Sequence, residues 1–163
     1  MKTKILFLLL FVSSLFAFGQ TGTSTNYSFT SGGNTRSYRV YVPTSYDGSR
    51  PVPLMLNIHG YTLTMQTEEA YMDFRPVADT AGFITVSPQG INNDWNQSGT
   101  VAAGQADRDF LWSMIDSIKK NYNINPCKIY TSGYSKGGFM SYILCLNEDN
   151  PTRANVRAAM GSV

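Results

Sequence analysis

The chain has 163 residues, 42% of them apolar and 15% charged, a composition that excludes a disordered or fibrous chain and supplies one domain with a core. The formal charge of +2 rests on Lys2 and Lys4, which open a segment expected to be removed, so that eleven basic and eleven acidic residues remain. Such a balance leaves no electrostatic footprint for nucleic acid or for an anionic membrane.

Residues 1–19 start Met-Lys-Thr-Lys, continue as a nearly unbroken apolar run over 5–18 and end with Gly19 before Gln20. A basic start, a short apolar middle and small residues at 17 and 19 predict a secretory signal peptide, with the mature chain beginning at Gln20. The run is shorter than the ~20 residues that cross a bilayer as a helix, which predicts an exported protein, extracellular or periplasmic, with no membrane partner after cleavage. Export opens the possibility of a disulfide between Cys127 and Cys145. A bridge needs Cα atoms within about 7 Å, less than the usual strand-to-helix separation, so a bridge and two buried thiols both stand as readings.

Along the mature chain, residues 21–25 are polar and predicted to be disordered. Residues 27–29 and 36–42 flank Ser31-Gly32-Gly33-Asn34 and predict an antiparallel hairpin. A proline-rich loop over 43–53 leads into a buried strand at 54–58. Residues 67–81 predict a helix broken near Pro76 and stopped by Gly82, ahead of a short buried strand at 83–86. The Asn/Gly-rich stretch 88–104 predicts a long loop, where function concentrates. Helix is expected from about Asp107 to Tyr122, with Phe110, Leu111, Met114, Ile115, Ile118 and Tyr122 on one face, Asp107 and Asp109 in its first turn and Lys119 and Lys120 in its last. Asn125-Pro126 reads as a turn, 128–132 as a strand, 136–146 as a helix, 147–151 as a turn and 156–163 as a further strand. A hairpin followed by alternating strands and helices predicts an α/β domain with a mostly parallel sheet.

The chemistry is carried by Gly133-Tyr134-Ser135-Lys136-Gly137, followed by Gly138. A serine with glycine at both second neighbours, set between a predicted strand and helix, is the nucleophile-elbow pattern. The strand must turn sharply into the helix with Ser135 at the apex, and the flanking glycines let neighbouring backbone approach without Cβ clashes. The following helix would turn the Lys136 N–H toward a developing oxyanion. His59-Gly60-Tyr61 follows directly on the strand at 54–58, which makes the Tyr61 N–H the candidate second donor and Gly60 the residue that permits close approach. His59 is the single histidine. At a strand end it is expected to hydrogen-bond the loop backbone and hold its shape rather than serve Ser135 as a base. The Lys136 side chain is expected to point to solvent. Trp95 reads either as a substrate platform in the long loop or as a plug over the sheet, and Asp107 as a helix N-cap rather than a catalytic acid.

Arg39-Val40-Tyr41-Val42-Pro43, the run from Pro53 to the His-Gly at 59–60, Pro88-Gln89-Gly90 with 93–96, and 128–140 with Gly-Tyr-Ser-Lys-Gly-Gly together make the chain resemble the secreted esterases of the polyhydroxybutyrate depolymerase and feruloyl esterase family. The likeness runs from about Ser37 to Val163. It implies an α/β-hydrolase fold with a serine nucleophile at Ser135 and oxyanion amides at Lys136 and Tyr61. It also implies that no metal or cofactor takes part, and that the partners are ester substrates such as acylated plant polysaccharides or polyester. On this reading 1–19 is the signal, 20–34 an N-terminal segment with the first strand, and 35–163 a hydrolase domain lacking its C-terminal part.

In this fold the triad runs Ser, then Asp or Glu, then His along the chain. After Ser135 the acids are Glu148 and Asp149, and no histidine follows. The expectation is therefore an N-terminal portion of a longer enzyme, inactive alone and prone to aggregate through an unpaired strand edge. An α/β-hydrolase peptidase and a non-catalytic secreted carbohydrate-binding remnant are the competing readings.

Overall fold

The structure is a computed structural model; it describes residues 21–96, 101–146 and 156–162. The expected signal segment and the turn with Glu148 and Asp149 lie outside the described residues.

Two strands, β1 (Ser24–Ser31) and β2 (Asn34–Tyr41), form the antiparallel hairpin, closed by Gly32 and Gly33. Both glycines have positive φ, 57° and 78°, the backbone that a two-residue hairpin turn matched to strand twist requires. Residues 24 and 25 are strand and not disordered, because Ser24 pairs with Tyr41 and its hydroxyl donates to Glu69 Oε1 at 2.6 Å. Strand β3 (Val52–Ile58) follows the proline-rich loop. The expected broken helix is two helices, α1 (Met65–Tyr71) and α2 (Arg75–Ala81). The break lies before Arg75, and Pro76 sits in the first turn of α2, where a missing N–H costs nothing. Strand β4 (Ile84–Pro88) is buried throughout.

Helix α3 (Val101–Asn121) begins well before the expected start. Gly104, taken for a loop residue, lies within it. Asp107 is therefore no N-cap: it sits inside the helix, where its carboxylate accepts from Arg36 at 2.7 Å and from the Asn96 N–H at 2.8 Å. Asp109 is likewise interior, whereas Lys119 and Lys120 do occupy the last turn. Of the six apolar residues expected on one helix face, five lie on α3 and Tyr122 directly follows it, and all six are buried.

Strand β5 (Ile124–Tyr134) is longer than expected. Asn125-Pro126 lies inside it, at an irregularity between the Val52–Ile124 and Leu54–Ile129 pairings; proline has no N–H to give the ladder, and a bulge absorbs it. Cys127 lies on this bulge and is exposed, Cys145 is half-buried, and neither is bridged, which removes both the disulfide and the pair of buried thiols. Helix α4 (Lys136–Leu146) and strand β6 (Val156–Ser162) complete the described chain.

The sheet has the order β1-β2-β4-β3-β5-β6. The β3–β4, β3–β5 and β5–β6 pairs are parallel, and β1–β2 and β2–β4 are antiparallel. Helices cover both faces. Asn57 of β3 donates to carbonyls at Glu68 and Met72 on the α1 side, and its register partner is Ser132. The next residue back, Thr131, shares a hydrogen bond with Ser141 of α4 at 2.9 Å. Successive strand residues face opposite ways, so α1 and α4 flank the sheet on opposite sides. From β3 the chain moves first to β4 on one side and then to β5 on the other. The crevice outside the carboxyl ends of strands at such a reversal is where open α/β sheets bind ligands.

Candidate active site

Three segments leave the carboxyl ends of β3, β4 and β5 at that reversal: His59-Gly60-Tyr61, Gln89 to Trp95, and the turn at Ser135. Ser135 stands alone between the last residue of β5 and the first of α4, with a φ of 49°. A left-handed backbone costs a non-glycine residue roughly 1–2 kcal/mol, and such strain persists only where the surroundings impose it. The two glycines supply that constraint. A Cβ on Gly137 would overlap the Ile58 carbonyl, and one on Gly133 would fall 2.7 Å from the Ile58 oxygen and into the backbone of Gly137. The elbow is thus wedged against the end of β3 by backbone-to-backbone contact. Ser135 itself is half-buried at the surface of the crevice.

His59 is fully buried, and both ring nitrogens are engaged. The Gly90 N–H donates to Nε2 at 2.9 Å, which makes Nε2 an acceptor and puts the proton on Nδ1, donated to the Gly60 carbonyl at 2.7 Å. Burial lowers the His59 pKa and keeps the ring neutral. A ring used in this way joins the loops after β3 and β4 and has no lone pair left for a serine proton. Gln89 extends the junction: its Oε1 accepts from the Met65 N–H at 2.9 Å, and its Nε2 reaches Asn93 Oδ1 at 3.1 Å.

Trp95 is 1% exposed, its indole N–H donates to the His59 carbonyl at 2.8 Å, and its ring lies 4.9 Å from the imidazole. Trp95 is thus packed into the interior of the described residues, against His59 and the end of β3.

The Lys136 side chain is 34% exposed, as expected for a residue turned toward solvent, but it is not without partners. Its ammonium pairs with Asp94 at 2.7 Å and sits 4.7 Å from the centre of the Tyr61 ring. Burial of Asp94 works against its charge, yet the Lys136 hydrogen bond and the Trp95 N–H hold its pKa below the usual carboxylate range. The contact brings the residues that supply both candidate amides, Tyr61 and Lys136, side by side at the elbow. The Tyr61 ring is otherwise exposed, and Gly60 packs against the Tyr134 ring.

Gln89 and Asp94 form part of this site, but no spacing rule singles them out in the sequence. Their signal is a carboxylate and an amide in a Gly/Asn-rich loop at a strand end, whose partners only the fold identifies. Among the described residues, no three histidine, cysteine or acidic side chains group as metal ligands, and no helix is long and apolar enough to cross a membrane.

The bifunctional acetylxylan esterase/xylanase XynS20E of Neocallimastix patriciarum is 31% identical over 112 residues, which cover 68% of this chain and 16% of that protein. Poly(3-hydroxyalkanoate) depolymerase C of Paucimonas lemoignei is 30% identical over 122 residues, 71% of this chain and 28% of that one. The acetyl xylan esterase of Aspergillus awamori superposes with a TM-score of 0.71 at 17% identity, over 86% of this chain and 52% of that structure. The chain belongs with the α/β-hydrolase esterases. No family model matches it. The chain spans less than a third of the length of these two curated relatives, and the likeness to the Aspergillus awamori enzyme speaks to fold alone.

Proposed function

We propose that the complete polypeptide carrying this chain is a secreted serine esterase that hydrolyses carboxylic esters through an acyl-enzyme on Ser135. The observation that carries the reading is the elbow: a serine at φ 49° between β5 and α4, fixed by glycines packed on the Ile58 carbonyl. Ser135 Oγ attacks the ester carbonyl while a histidine from the remainder of the polypeptide takes its proton. The amides of Lys136 and Tyr61 receive the charge on the tetrahedral oxygen, the alcohol departs with the proton, and water then releases the acid. His59 is not the base, since both its nitrogens are spent on the loops. The names of the curated relatives support ester substrates of the acetylxylan, feruloyl or polyhydroxyalkanoate type. The basic-then-apolar start over 1–19 supports export.

The test is Ser135→Ala in the complete polypeptide, assayed with p-nitrophenyl acetate. Turnover should fall by about a thousandfold or more with an unchanged circular dichroism spectrum. Turnover at the wild-type level would overturn the assignment.

A further inference from the structure

One buried acid lies outside the mechanism above. Glu68, on α1, is 0% exposed, and neither of its carboxylate oxygens has a hydrogen-bond partner. Two further buried polar atoms lack partners in the same layer between α1 and the β3–β5 pair: Asn57 Oδ1 and Ser132 Oγ. Asn57 and Ser132 are register partners on adjacent strands, and the Asn57 amide nitrogen reaches the Glu68 and Met72 carbonyls at 3.4 and 3.0 Å. The layer ends two residues beyond Ser132 at Tyr134, whose ring meets Tyr71 of α1 with centroids 5.4 Å apart. The next residue is Ser135.

Carboxylate and amide oxygens only accept hydrogen bonds, so an ionised Glu68 would set acceptor beside acceptor in a layer where the Ser132 hydroxyl is the one unpartnered side-chain donor. A carboxylic acid supplies the missing donor. Resting on the serine-esterase reading, we propose that Glu68 is a positioning residue for the nucleophile elbow, held as a neutral acid whose proton satisfies this layer beneath Tyr134 and Ser135. Ionisation would both open the layer and bury a negative charge against the Tyr134 backbone, one residue before Ser135, where it would oppose a developing oxyanion.

The surroundings agree. Burial raises the Glu68 pKa to about 7, against a lowering by the Tyr134 N–H, which faces the carboxyl without a well-formed bond. No charged side chain contributes. Helix α1 packs on β2, β3 and β4. On β2, Arg39 is paired with Glu69 and Tyr41 with Asp79. β3 and β4 carry no titratable group, and burial lowers the pKa of His59, just past β3. On β5, Tyr130 and Tyr134 are phenols, and Tyr71 is the third. Asp73 and Arg75, before and within α2, are paired with each other.

The experiment takes the complete polypeptide as wild type, Glu68→Gln and Glu68→Ala. It measures kcat/KM for p-nitrophenyl acetate from pH 5 to 9 and, independently of turnover, the Glu68 carboxyl carbon by NMR. The wild type should lose about tenfold in kcat/KM between pH 7 and pH 9. Glu68→Gln, which donates at every pH, should stay within about threefold of wild type at pH 6 and lack that alkaline fall. Glu68→Ala should be lowered at every pH with KM unchanged. The NMR titration should centre near neutrality. Superimposable pH profiles for wild type and Glu68→Gln, or a carboxyl titrating in the ordinary range, overturns the inference while leaving the Ser135 assignment untouched. If instead Ser135→Ala retains turnover, the esterase reading falls on its own test.

Discussion

Burial makes Glu68 a proton-holding group in the folded chain, and this has a thermodynamic sign. Its pKa rises from 4.5 to about 7 on folding, so between those values the folded state binds a proton that the unfolded state releases. The stabilising contribution is complete below pH 4.5, declines as pH rises, and is lost above about pH 7, a change on the order of 3 kcal/mol. Urea unfolding from pH 4 to 8 should therefore give Glu68→Gln a flatter stability curve than wild type, and parallel curves would contradict the burial argument. At this scale the sequence was informative where a residue's role depends on its immediate neighbours. The sharp turn at Ser135 was legible because glycines two positions away on each side report its steric demand. The Lys136 side chain was not, because its partners Asp94 and Tyr61 arrive from two other strand ends.

Elements behind the site are joined by a buried ion pair that no local pattern announces. Arg36 of β2 is 2% exposed, donates to Asp107 of α3 at 2.7 Å and stacks 4.0 Å from the Phe110 ring centre. The other Asp107 oxygen receives the Asn96 N–H, which ties the loop after β4 to the same carboxylate. Removing one partner leaves an uncompensated buried charge, usually at a cost of about 3–5 kcal/mol. Asp107→Ala should lower stability by that amount in a denaturant titration, whereas Asp116→Ala, which removes a largely exposed pair with Lys119, should change it by less than about 1 kcal/mol. Periodicity revealed the buried face of α3 because six apolar residues recur at helical spacing. It missed the start, since Gly104 weakens the local signal while the Asp107 contacts that help to hold this end of the helix lie far away in sequence.

Across the whole molecule, the alternation of strands and helices was enough to read the parallel β4-β3-β5-β6 part of a mixed sheet. Among the described residues the four strands β2, β4, β3 and β5 have neighbours on both sides, while β1 is an edge strand with alternating exposed residues. Opening free energy should rise from edge to centre. Amide exchange should be slowest at Leu54, Leu56, Val86 and Ile129 and fastest along β1; uniform protection from β1 to β5 would show that the sheet opens as one unit. The strand ends that build the site lie in this slow-exchanging centre, which suits a site whose parts must hold their positions.

The wedge of Gly137 on the Ile58 carbonyl has a kinetic side. Ile58 and Gly133 become neighbours only when β5 docks beside β3, a long-range pairing of the kind that is slow to form. Until then nothing compels Ser135 to leave the ordinary backbone basin, and it is as inert as any serine in a flexible chain. The hydroxyl is presented only by a chain that has closed its central strands. On the proposed esterase reading, early collapse thus proceeds without a poised nucleophile, and the fold serves as the safety catch on its own chemistry.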